Sequence, residues 1–149
     1  MGLDMQLYAE RYFWNFGEEA DKALAIDIAQ LIGVNNTAMP IKTIRLEAGR
    51  WRKANHIHKW FVDNVQNGKD ECQECPVARG NLVDLREACR EVLSDNTKAP
   101  LLLPTTDGFF FGGKDYNQWY FADLDDTIKI IDNALSLPGS WDFTYRSSW

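Results

Sequence analysis

Two histidines, His56 and His58, stand within a few residues of Arg52, Lys53 and Asn55, and this short stretch is where the chain first offers chemistry. An imidazole can move protons near neutral pH, guanidinium and ammonium groups hold anions, and a carboxamide both donates and accepts hydrogen bonds. From Lys42 to Lys59 there are six basic residues against one acid, a local charge of +5 in a chain whose net charge is −6. A basic island in an acidic protein attracts a small anion within about a Debye length, roughly 8–10 Å, while the whole molecule repels a long polyanion. The plainer reading is a solvated helix face with its counter-charges supplied from elsewhere in the fold.

Arg50 to Gln66 contains no internal Gly or Pro and has helical periodicity, which predicts a helix starting where Gly49 ends a strand. On that helix Trp51, Ala54, Ile57, His58 and Phe61 share one face, with Arg52, His56, Lys59 and Asp63 opposite. His58 is therefore expected to point inward and His56 outward. Residues two apart on a helix differ by about 200° in direction, so the two imidazoles cannot serve one site. The expected ligand-binding set is Trp51, Arg52, Lys53, Asn55, His58 and Tyr120. Arg52 and Lys53 would supply charge, Trp51 or Tyr120 stacking, and Asn55 and His58 hydrogen bonds. A histidine on an apolar face also has a simpler role, as a core imidazole tied to a carbonyl or an acid.

Other constellations favour structural explanations. Cys72-x-x-Cys75 is half a zinc site, which Cys89 and one histidine could complete only without the second close pair such sites usually have, so no metal is expected. Gly112-Gly113-Lys114-Asp115 before a helix is similar to an anion-binding turn, but Asp115 and Gln118 have capping-box spacing, which puts a carboxylate where a phosphate would sit. Asp125 and Asp126 fall on an outer helix face, where solvation explains them. No nucleophile with an attendant base can be assembled, which lowers an enzymatic reading, and no cofactor is expected.

The elements that must position these groups follow from the pattern. Leu3 to Glu10 alternates as a half-buried strand, Glu18 to Ile32 reads as a helix closed by Gly33, and Thr43 to Ala48 alternates again. A short strand around Pro76 to Ala78, a helix from Asn81 to about Leu93, and a buried strand at Phe109-Phe110-Phe111 come next. A helix over Tyr116 to Leu137 and a last alternating strand through Trp141, Phe143 and Tyr145 complete the chain. With 149 residues, 45% of them hydrophobic and 13% aromatic, one domain over 1–149 with its own core is expected. The predicted class is α+β, with about four helices and a mixed, mostly antiparallel sheet of four to five strands. No membrane span or signal peptide is legible, and the three cysteines fit reduced thiols in a cytoplasmic protein.

Three segments together resemble a family of small uncharacterised proteins encoded widely in bacteriophage genomes: Met1-Gly2-Leu3-Asp4-Met5, the stretch Trp51 to Val65, and Tyr145-Arg146-Ser147-Ser148-Trp149. Gly108 to Gly112 and Trp119-Tyr120-Phe121 are also similar to that family. The chain departs from its pattern at Gln6, His56 and Cys75-Pro76, so neither His56 nor Cys75 is taken as a functional group. Charge, aromatics and resemblance together lead to the expectation of a phage-encoded binding protein. It would form homo-oligomers and sequester a small anionic, nucleotide-like molecule, with a host antiviral-defence signal as the expected cargo. The alternatives are an enzyme cleaving a phosphoester or nucleotide with His58 as acid-base group, and a protein inhibitor of a host enzyme. The inhibitor would present the acidic helix around Asp123 to Asp126 and exposed tryptophans to a basic partner, while Trp60 and Trp119, off the centres of their apolar faces, are read as a homo-oligomer interface ahead of a surface for stacking a base.

Overall fold

A computed structural model describes residues 2–149 as a single α+β domain. Its sheet has four strands: β1 (Asp4–Tyr12), β2 (Thr43–Arg52), β3 (Cys75–Val77) and β4 (Asp142–Ser148). Their order is β2-β1-β4-β3, and every neighbouring pair is antiparallel, so the parallel component expected of a mixed sheet is not there. The helices are α1 (Glu19–Leu31), α2 (Asn55–Asn64), α3 (Arg79–Ser94), the single turn α4 (Ala99–Leu102) and α5 (Gln118–Leu135).

Strand alternation decides the two faces of the sheet. Met5, Leu7 and Ala9 of β1 lie beside Phe143 and Tyr145 of β4 and are all buried. These side chains meet Ile57 and Phe61 of α2, Leu82 and Leu85 of α3, and Leu124 and Ile131 of α5 in one core. Stacking of Phe61 on Tyr145, with centroids 3.9 Å apart and rings within 8° of parallel, fixes α2 against β4. The opposite face carries Gln6 between Arg50 and Arg146, in the polar register that a single covered face requires. The buried Ala25 and Ala29 of α1 stand outside this core, at the Phe13 and Ile41 end of the sheet.

Strand β2 runs through Gly49 to Arg52 instead of stopping there, and α2 starts at Asn55. The reason is tertiary. A Cβ at Gly49 would stand 2.2 Å from Cγ2 of Ile130, so this strand position has to be a glycine for α5 to lie against the sheet. The alternation Arg50-Trp51-Arg52 satisfies a strand as well as a helix face, and pairing of Met5 with Trp51 selects the strand. Phe109-Phe110-Phe111 is likewise no strand. It lies in the loop between α4 and α5, with Phe109 and Phe110 exposed and only Phe111 buried. Among the described residues, no helix is long and apolar enough to cross a membrane.

Candidate functional site

A cleft of about 310 Å³ opens where β2 ends and the first turns of α2 and α5 converge. Arg52 and Lys53 line it from the β2–α2 junction, His56 from the first turn of α2, and Trp119 and Asp123 from one face of α5. The loop wall is held by Asn55, whose Nδ2 donates to the carbonyls of Phe111 (3.2 Å) and Gly113 (2.9 Å) while its Oδ1 accepts from the Thr106 amide (3.0 Å). With its amide committed three times over, Asn55 shapes the cleft instead of offering hydrogen bonds to a guest.

The junction is tightly built. Lys53 has φ of +60° and Gly112 has φ of +94°, and a Cβ at Gly112 would come within 3.0 Å of the Lys53 carbonyl oxygen. A lysine in the left-handed region is uncommon and costs energy, which makes Lys53 a backbone position held by its surroundings. The Lys53 amide donates to the Leu3 carbonyl at 2.8 Å, and the Lys53 carbonyl accepts from the Asn55 amide at 2.9 Å.

Both signs of charge border the cleft, the cations Arg52 and Lys53 and the carboxylates Asp115 and Asp123. The Arg52 side chain is 65% exposed and its closest carboxylate, on Asp4, is 3.9 Å away, while Lys53 forms no salt bridge among the described residues. The cap of α5 is Asn117, accepting from the amides of Trp119 and Tyr120 at 3.0 and 3.3 Å, so Asp115 is not the capping residue. The first turn of α2 has no side-chain cap. One uncapped helix N-terminus, that of α2, a guanidinium and an ammonium therefore border one opening, while the first amides of α5 are taken by Asn117.

The inner wall is less symmetrical. His56 is only 3% exposed, although a helical wheel alone faces it to solvent, because α5 and the loop before it cover that side of α2. Its ring lies 4.2 Å from that of Tyr120, whose hydroxyl donates to the Leu103 carbonyl at 2.8 Å. The Nε2 atom of His56 has no hydrogen-bond partner, and the nearest carboxylate oxygen, Oδ2 of Asp123, is 3.8 Å away. Burial lowers the His56 pKa to about 3 and raises that of Asp123 to about 6, with Asp126 adding to the latter, so at neutral pH the imidazole is neutral and the carboxylate charged.

Of the six residues expected in a site, Arg52, Lys53, Asn55 and Tyr120 border this cleft. Trp51 and His58 do not. Trp51 points into the core, its indole donating to Thr127 Oγ1 at 2.8 Å. His58 is 1% exposed and bonds Tyr145 through Nδ1 (2.8 Å) and Asp70 through Nε2 (2.9 Å), with the Trp149 indole donating to the other Asp70 oxygen at 3.0 Å. That chain ties the end of β4 to α2 and leaves no ring nitrogen free. Sequence reasoning left His56, Trp119 and Asp123 out of the expected set, facing His56 to solvent, preferring an interface for Trp119 and placing Asp123 on an acidic surface. Trp119 and Asp123 are four residues apart at a helix start, and that spacing was the available signal. Trp60 packs edge-on against Phe61, at 5.5 Å, partly buried. Among the described residues, no three His, Cys, Asp or Glu side chains are grouped to hold a metal ion. No protein family, curated protein or solved structure matches this chain.

Proposed function

We propose that this is a binding protein that captures a small anionic, nucleotide-like molecule in the cleft between β2, α2 and α5. One observation carries the reading: Arg52, whose only carboxylate partner among the described residues is Asp4 at 3.9 Å, and Lys53, which forms no salt bridge there, border the cleft beside the uncapped first turn of α2, with Trp119, 71% exposed, lining it too. Charge on one side and a flat indole on the other are what a phosphate joined to a base requires. The volume suits a mononucleotide-sized guest, since ligand clefts start at about 300 Å³.

The acidic remainder of the chain disfavours long nucleic acid. In this account the protein acts in the host cytoplasm, and its resemblance to phage proteins makes a nucleotide signal of host defence its cargo. Self-association would use Trp14, Phe16 and Leu31, exposed apolar surface near α1 of the kind copies bury against each other. Cleavage by His58 is disfavoured because both its nitrogens are engaged in the core. Calorimetric titration with nucleoside monophosphates at low salt tests the reading. Saturable binding that the Arg52→Ala/Lys53→Ala double variant weakens by about 100-fold is expected, from two charge-assisted contacts of about 1.4 kcal/mol each. Equal binding by the double variant would remove the cleft from consideration.

A further inference from the structure

The inner wall of the cleft holds two groups that the phosphate-binding end does not use. His56 Nε2 is buried without a partner, and the Asp123 carboxylate accepts no hydrogen bond from the described residues. At 3.8 Å their oxygen and nitrogen are too far apart to satisfy each other. His56 Nε2 bears the desolvation cost of a polar atom taken out of bulk water with no bond in return, while the Asp123 side chain, 35% exposed, keeps an oxygen open to the cleft for a guest to meet. Such a guest must donate to a carboxylate and, alongside, pair with His56 Nε2, which donates in the tautomer that carries the proton there.

The surroundings narrow the guest further. Trp119 lies one helical turn before Asp123, on the same face of α5, so a ring stacked on the indole presents its edge to the carboxylate. Arg52 and Lys53 line the same cleft from the β2–α2 junction, a different element from the one that carries Trp119 and Asp123. The ring therefore has an anionic substituent at one end and hydrogen-bond donors at the other.

Among the nucleobases, guanine offers the complementary edge. Its N1–H and N2–H donors sit side by side and match the two oxygens of one carboxylate, and its O6 follows as an acceptor for Nε2–H. Adenine and cytosine present one amino donor beside a ring acceptor and form one bond fewer. Uracil and hypoxanthine have a single ring N–H to give.

Resting on the nucleotide reading, we propose that Asp123 and His56 are the base-reading end of the cleft and that they select guanine nucleotides. Trp119 is the stacking platform and Arg52 with Lys53 the phosphate clamp. The neutral His56 imidazole serves as donor through Nε2, supported from below by the Tyr120 ring.

Inosine monophosphate is the sharp probe, because it differs from guanosine monophosphate only in lacking the 2-amino group. Titrations of the wild-type protein at about pH 7.5 should give binding of guanosine monophosphate at least about tenfold tighter than of inosine, adenosine or uridine monophosphate, the effect of one unmatched polar group. Asp123→Asn should shrink the guanosine-to-inosine ratio to about threefold or less, with an unreduced melting temperature showing that the fold is intact. Equal binding of all four nucleotides by the wild-type protein would overturn base reading while leaving capture standing. A preference for adenosine monophosphate would overturn the guanine assignment. Absence of binding by every nucleotide would overturn the nucleotide reading and this inference together.

Discussion

His56 Nε2 lies 3.8 Å from Asp123 Oδ2, and that gap separates a neutral imidazole from a carboxylate that neither hydrogen-bonds nor neutralises it. Two residues further along α2, His58 is equally buried but fully bonded. One turn of helix thus holds a satisfied core histidine and an unsatisfied one, and only the second faces a cleft.

The pH dependence follows from those two groups. Asp123 moves from an ordinary 3.8 to about 6 on folding, so the folded chain holds this proton more tightly and its stability falls as pH rises from about 4 to about 6. His56 moves the other way, from 6.5 to about 3, and its contribution is lost as pH falls below about 6.5. Asp123→Asn should therefore raise the melting temperature more at pH 7.5 than at pH 4, and His56→Gln should flatten the acid-side loss. Thermal melts across that range check both, and parallel curves for variants and wild type would refute the assignment.

The His58 network is structural in this account. Replacing His58 with Ala leaves Tyr145 and Asp70 without their shared partner and opens a void in the core, at a cost of about 3 kcal/mol. For a chain of this size that is a drop of roughly 6–12 °C in melting temperature. Below that temperature nucleotide affinity should be unchanged. A large loss of affinity in a folded His58→Ala protein would return His58 to the site.

Lys53 trades stability for charge. Its φ of +60° costs a side-chain-bearing residue about 1 kcal/mol that glycine would not bear. Lys53→Gly should consequently unfold at higher denaturant concentration than wild type while binding nucleotide about tenfold more weakly, the loss of one contact of about 1.4 kcal/mol. Chemical denaturation and titration of the same sample read both effects.

Gly49 sets the approach of α5 to the sheet. Gly49→Ala places a methyl 2.2 Å from Ile130 Cγ2 and should destabilise by about 2 kcal/mol through overpacking. Ile130→Leu removes the branching methyl at Cβ, so the double variant should recover part of the loss. A strictly additive double-variant cycle would show that the two positions do not touch.

Alternation in β1 and β4 and the long amphipathic periods of α3 and α5 made the α+β class legible, because each of these patterns depends on one buried face, while α1 was legible from its composition and the Gly33 stop. The start of α2 was not. Arg50-Trp51-Arg52 fits either period, and Gly49 looks like a stop unless Ile130 is known to stand over it. The site shows the same division. Arg52 and Lys53 could be found from charge alone. His56 needed knowledge that α5 and the loop fastened by Asn55 cover the polar side of α2, a long-range fact absent from any helical wheel. The aromatic triplet failed for a related reason: β1 and β3 already flank β4, and Phe110 with φ of +66° belongs to a turn.

Native mass spectrometry of the purified protein, incubated with a mixture of nucleoside monophosphates, tests the central claim most directly. The account predicts one intact nucleotide per chain, released unchanged on denaturation and absent from the Arg52→Ala/Lys53→Ala protein. An unliganded spectrum at saturating nucleotide, or release of a cleaved product, would contradict it.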